Sequence, residues 1–180
     1  MSSPMKGSCK VQMRPLGLGY GSIKTAAEII SLSFASDPLI RWLSRDRSGP
    51  GWETLTPTLQ QWQEARLREY ARIGIMMESH NDFEERIKKK YPPNSLYYLE
   101  IAAVRPDTQG MGVGRTIMQW VVQELGDSPC YIECTDKKNV AFYVKYGFEL
   151  VEEAELVDEE DAMPPTTLFY MIRDTSTPKK

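Results

Sequence analysis

Tyr97 to Arg115 read YYLEIAAVRPDTQGMGVGR, and the rest of the fold is read outward from this stretch. Tyr97 to Val104 is aromatic and apolar with one charge, the composition of a strand, and it stops at Arg105-Pro106-Asp107, where a proline cannot donate to a ladder. Gly110, Gly112 and Gly114 follow at a spacing of two and lead into Thr116 to Leu125, where Ile117, Trp120, Val121 and Leu125 recur at helical spacing. The order is strand, glycine loop, helix. The first turn of a helix leaves backbone N–H groups unpaired and carries the positive end of the helix dipole, so an anion that glycines allow to approach is held there. A plain reading stands beside this one: the glycines only make a tight turn between a strand and its helix.

Two familiar phosphate loops fail against the residues. A Walker A loop needs glycine where Gln109 stands and lysine where Arg115 stands. The dinucleotide fingerprint needs a third glycine three positions after the second, yet those positions hold Arg115 and Ile117. The stretch resembles instead the acetyl-CoA-binding motif of the GNAT superfamily of N-acetyltransferases, Gln/Arg-x-x-Gly-x-Gly/Ala. Here it reads Gln109-Gly110-Met111-Gly112-Val113-Gly114, preceded by Ala102-Ala103-Val104-Arg105-Pro106 where the family has Leu-Ala-Val-x-Pro. Asn139-Val140-Ala141-Phe142-Tyr143-Val144-Lys145-Tyr146-Gly147-Phe148 is similar to the family's second signature, with a shortened internal spacing. The resemblance is strongest from Tyr97 to Phe148. It implies an α/β (α+β) fold, the GNAT acyl-CoA N-acyltransferase fold, with a mixed central sheet flanked by helices.

With 180 residues the chain has room for one domain. The expected organisation is a tail over 1–8, a single GNAT domain over 9–173, and a second tail over 174–180. Within the domain an acceptor half spans about 9–95 and an acetyl-CoA-binding core 97–148. A net charge of −3 and the acidic run from Glu152 to Asp161 oppose binding to nucleic acid. No stretch approaches the roughly 18 apolar residues of a membrane span, and Met1 to Lys10 lacks the apolar core of a signal peptide; a cytoplasmic protein without a membrane partner is expected. Cys9, Cys130 and Cys134 are odd in number, and the lone His80 completes no metal set, so neither a disulfide framework nor a metal is expected. Cys130 and Cys134 read as buried small residues.

Before the glycine loop, Cys9 to Arg14 alternates as a first strand. A helix capped by Ser22 or Thr25 presents Ala26, Ile29, Ile30, Leu32 and Phe34 and ends at Asp37-Pro38. Leu39 to Leu43 reads as an apolar turn, Trp52 or Thr58 to Tyr70 as a second helix, Ile73 to Met77 as a strand, and Asp82 to Lys90 as a charged helix stopped by Pro92-Pro93. In the family a hairpin of two strands stands here, and only one run is found. That gap exposes an edge of the central strand, through which two copies could pair. After the loop, Cys130 to Thr135 reads as a strand with Tyr131, Glu133 and Thr135 on one face. Asn139 to Tyr146 is a helix ended by Gly147, and Phe148 to Leu156 and Thr166 to Arg173 are the last strands.

The resemblance implies a reaction and its parts. Acetyl-CoA is the co-substrate, its pyrophosphate on the amides of Gly110, Met111, Gly112, Val113 and Gly114 with Gln109 and Arg115 beside them, and its pantetheine arm paired with the backbone of Ala102, Ala103 and Val104. Asn139 matches the residue that bonds the cofactor, and Tyr143 the tyrosine that protonates the departing thiolate. Glu100 lies two residues before Ala102 on the same strand face, where related enzymes keep a general base; Tyr98 is one step further on that face. The acceptor is a primary amine of a small molecule or protein, attacked directly in a ternary complex. Two other functions fit the residues: a catalytically inactive CoA-binding or interaction module, and a regulator that binds nucleotide phosphate at the glycine loop.

Overall fold

A computed structural model describes residues 20–44, 59–160 and 164–176. The expected first strand at Cys9 to Arg14 and the two tails up to residue 8 and beyond 176 lie outside them. Two compact units are present, one holding 20–34 with 101–126 and the other 35–44 and 59–100 with 127–160 and 164–176. The first contains α1 (Tyr20–Ser33) and α4 (Val113–Leu125). The second contains α2 (Pro38–Ser44), α3 (Leu59–Lys88), β1 (Tyr97–Tyr98), β2 (Cys130–Cys134), α5 (Lys137–Val144), β3 (Glu149–Leu156) and β4 (Thr166–Arg173).

The strands form one mixed sheet in the order β1-β2-β4-β3. β1 runs parallel to β2, and the other two pairings are antiparallel. β4 is central, and its Leu168, Tyr170 and Met171 are fully buried. Alternation sends Leu168, Tyr170 and Ile172 to one face together with Tyr131 of β2. There they pack with Leu39 and Trp42 of α2 and with Phe83 and Ile87 of α3. Phe83 lies flat on Tyr170, with ring centroids 4.0 Å apart and planes at 15°. α2 starts cleanly because Asp37 accepts from the amides of Leu39 (2.9 Å) and Ile40 (3.2 Å) and Pro38 needs no partner at the first helical position.

Several elements differ from the sequence expectation. Leu39 to Leu43 is helical rather than a turn. The strand expected at Ile73 to Met77 is the interior of α3, a single 30-residue helix that also absorbs the two helices expected on either side. Its buried positions Arg72, Phe83 and Ile87, with half-buried Ile75, Met76 and Ser79 between them, follow a helical spacing. A five-residue apolar run does not tell strand from helix by itself. The strand expected from Tyr97 to Val104 is a ladder at Tyr97 and Tyr98 only, extended by one bond from the Leu99 amide to the Tyr131 carbonyl (3.0 Å). Among the described residues no strand precedes β1, and β2 is its one strand neighbour. The glycine-loop helix starts at Val113 instead of Thr116, and α5 starts at Lys137, where Asp136 caps it by accepting from the Lys138 amide (3.0 Å). Gly147 has the expected left-handed φ of 87°.

Two expectations check this core. Phe83→Ala removes the ring between helix and sheet and lowers unfolding stability in urea by about 3 kcal/mol or more; a loss under about 1 kcal/mol would contradict the packing. Burial pushes the thiols of Cys130 and Cys134 up to about 11, so neither is a thiolate at pH 8. In a Cys9→Ser background a disulfide reagent labels neither in the native protein and both after denaturation.

Candidate active site

The glycine loop belongs to the first unit. The carbonyl of Val104 accepts from Ser33 Oγ (2.9 Å) and from Gln109 Nε2 (3.1 Å). The single Ser33 hydroxyl proton is shared between that oxygen and the Ile29 carbonyl, at 2.7 Å. Pro106–Thr108 form one 3₁₀ turn, whose Thr108 amide and hydroxyl both reach the Arg105 carbonyl at 3.0 Å. The exposed Arg105 guanidinium is held by Asp107 through two bonds, at 3.1 and 2.9 Å.

The chain then needs two left-handed residues, and glycine supplies them: Gly110 has φ 75° and Gly112 φ 88°. A Cβ built on either would meet nothing within 4 Å, so the space outside both is open. The Met111 amide is used by the Thr108 carbonyl (3.3 Å), and the first intrahelical bond of α4 runs from the Thr116 amide to the Gly112 carbonyl (3.0 Å). The amides of Val113, Gly114 and Arg115 precede that bond, and Gly112 at the cap position has no side chain to accept from them. This is the uncapped, positive helix end that the sequence suggested. Arg115 is exposed in its first turn.

The other expected residues belong to the sheet unit. The β1–β2 ladder ends at the bond between Leu99 and Tyr131, while β2 continues to Cys134. Glu133 is thus the first residue facing α3 beyond the point where the two parallel strands part. Glu100, exposed, follows at the end of β1 on the face that carries Tyr98, and its charge bears on the Tyr98 phenol. Tyr143 of α5 is on the opposite face, near Cys134, and packs edge-on against Phe142 (5.4 Å) and Phe148 (6.1 Å). Burial, followed by Cys134, pushes its phenol up to about 12. Asn139, Lys137 and Lys138 are exposed on the first turn of α5, with Lys138 paired to Asp136 at 2.9 Å.

Sequence reasoning missed a cluster on the α3 face. His80 of α3 bonds through Nδ1 to Glu133 Oε1. The other oxygen of Glu133 accepts from the Tyr98 hydroxyl at 3.3 Å. Tyr98 stacks on Tyr131 with centroids 4.5 Å apart, and Tyr131 donates to Glu84 Oε1 at 3.0 Å. Burial first and the neighbouring carboxylates second raise both phenols far above their ordinary range, so they stay protonated donors. The signal available was the alternation of Tyr131 and Glu133 on one strand face; with residues 73–77 read as a strand, nothing connected His80 to it.

Residues 68–150 match the family described as the acetyltransferase (GNAT) domain. No curated protein matches the chain. Among solved structures it is similar to one titled as a histone acetyltransferase HPA2 and related acetyltransferase from Corynebacterium glutamicum, with 15% identity over 90% of this chain and 96% of that one, at a TM-score of 0.49. It is similar also to a nourseothricin acetyltransferase, with 24% identity over 46% of this chain and 52% of that one, at a TM-score of 0.36. The match over 68–150 runs through the second half of α3, the parting of β1 and β2, the glycine loop and α5.

Proposed function

We propose that the protein is an N-acetyltransferase that transfers an acetyl group from acetyl-CoA to a primary amine of a small molecule or protein, by direct attack in a ternary complex. The observation that carries this reading is the uncapped start of α4 behind two left-handed glycines with open space outside them, within the matched domain. Those features fit a pyrophosphate: the amides of Val113, Gly114 and Arg115 are donors without intrahelical acceptors, and the Arg115 guanidinium adds charge. Gln109 is tied to Val104 and shapes the loop, while Gly110, Met111 and Gly112 give it its close approach. The backbone of Ala102, Ala103 and Val104 is assigned to the pantetheine arm, and Asn139 to the cofactor, on the motifs they match. Acetyl-CoA supplies the activated acyl group; no metal is invoked.

The chain's own residues supply the proton chemistry. Glu100 has no hydrogen bond to a described residue and is free to receive a proton from the amine through a water. Tyr143, kept neutral up to about 12, holds a proton that it can give to the departing sulfur throughout the working range. Among the described residues the outer edge of β1 has no strand partner, which supports pairing of two copies, and sedimentation at rising concentration would detect it.

A second reading is favoured by α3, which fills the place where the family has a strand hairpin: a module that binds CoA without turnover. Steady CoA release with any amine excludes it, and competition by ATP against acetyl-CoA would favour the nucleotide-binding alternative.

In a thermal-shift titration acetyl-CoA raises the midpoint of the wild type as RT ln(1 + [L]/Kd) requires. Gly112→Val, which forces a branched side chain into a left-handed φ of 88°, abolishes that rise. No midpoint change in the wild type would remove the cofactor site. Glu100→Gln and Tyr143→Phe each lower kcat by about tenfold or more while the acetyl-CoA midpoint shift persists. Because the raised Tyr143 phenol stays protonated, wild-type turnover shows no alkaline loss from this group below about pH 11; a Tyr143→Phe variant with unchanged kcat would end its assignment as the acid.

A further inference from the structure

Acetylation of an amine removes two protons from one nitrogen. The ammonium form must lose the first before its lone pair is available, and the nitrogen loses the second as it becomes an amide. One of the two is balanced by the proton placed on sulfur. Glu100 accounts for one acceptor and Tyr143 for the donor, which leaves a proton acceptor to be found.

We propose that His80, its ring fixed by Glu133, is that second proton acceptor; the proposal rests on the N-acetyltransferase reading. Glu133 marks the point where β1 and β2 part, and Glu100, Tyr98 and His80 share its face of the sheet. The His80 side chain is 17% exposed, its ring lies against Tyr98 at 5.6 Å, and Nδ1 is bonded to Glu133. Nε2 has no hydrogen bond among the described residues and is not one of their sealed, unpartnered polar atoms, so solvent reaches it. With Nδ1–H donated to the carboxylate, Nε2 carries the ring's lone pair. A carboxylate that fixes the tautomer and balances the imidazolium is the arrangement that makes a histidine a base. Glu133 is in turn fixed at its other oxygen by Tyr98, whose raised phenol remains a donor.

The protons balance as follows. The ammonium R–NH3⁺ gives one proton to Nε2, directly or through one water, and His80 becomes an imidazolium beside Glu133. The amine lone pair forms the C–N bond at the thioester carbonyl, and the C–S bond breaks with its electron pair on sulfur. The nitrogen's second proton passes to Glu100, Tyr143 gives a proton to sulfur and recovers one from solvent, and His80 and Glu100 return their two protons to solvent. The net reaction yields the amide, the free thiol and one proton.

Because His80 is the only histidine in the chain, its chemistry can be read without interference. The titratable groups with a described interaction to it are Glu133 on β2, Tyr98 on β1 and Glu84 on α3. Diethyl pyrocarbonate modifies one histidine in the wild type, and saturating acetyl-CoA slows that modification severalfold. His80→Gln lowers kcat by about 100-fold with the acetyl-CoA midpoint shift retained, and free imidazole restores part of the rate. If acetyl-CoA produces no midpoint shift in the wild type, the acetyltransferase reading falls and this proposal with it. If the shift is present but modification is unprotected, or His80→Gln keeps kcat within twofold of the wild type, the proposal alone is overturned.

Discussion

Tyr131 is the residue on which the two halves of the sheet unit depend. Its ring is stacked on Tyr98 of β1 on one side and tilted against Phe83 of α3 on the other, at 4.5 and 5.8 Å. Its hydroxyl donates to Glu84, and its backbone carbonyl takes the last bond of the β1–β2 ladder. One side chain thus joins the short parallel strand, the central antiparallel pair and the long helix. With only two ladder positions, β1 depends on this contact together with the bond from the Tyr98 hydroxyl to Glu133 and the His80 ring against Tyr98. The parting of β1 from β2 begins at the same residue, so the element that secures the edge of the sheet also sets where it opens.

α3 meets the sheet through polar pairs as much as through apolar packing. Arg72 reaches Asp158 at 3.3 Å, Ser79 reaches the Tyr170 hydroxyl at 2.9 Å, His80 reaches Glu133, and Glu84 reaches Tyr131. Every one of these partners is more than 40 residues away in sequence. A polar group that faces a sheet is costly to bury unless it is hydrogen-bonded, and here β2 and β4 provide the partners of Ser79, His80 and Glu84, while Asp158, just past β3, provides that of Arg72.

That arrangement accounts for what the sequence discloses. The glycine loop, its helix, β2, β3, β4 and the left-handed Gly147 are legible because their signals are local: two φ values only glycine adopts readily, an alternation, a helical stripe. α3 is not legible as one helix, because periodicity counts apolar residues and its inward face includes Arg72, Ser79 and His80. Remove those from the stripe and Ile73 to Met77 stands alone as an apolar run, which reads as a strand. The extent of β1 misleads for the opposite reason: Leu99 to Val104 has the composition of a strand, yet among the described residues no partner continues the ladder after Tyr131, and β propensity without a neighbour forms none. For the candidate site, the loop residues and Tyr143 were readable from motifs, whereas the His80–Glu133 pair depends on a helix the motifs do not cover.

The long helix therefore changes more than topology. A strand beside β1 would bring backbone amides to that edge and send alternate side chains to its two faces. A helix lying on the face brings side chains at intervals of three and four, and Ser79, His80, Phe83 and Glu84 all meet the sheet within about one turn. Both oxygens of Glu133 are engaged as a result, one by His80 and one by Tyr98. A carboxylate held at both oxygens cannot rotate to release its partner without losing two bonds, so the imidazole it contacts is held in one direction. The same tyrosines that make the face a core, kept neutral by burial and by their carboxylate neighbours, are what hold its acidic groups in place.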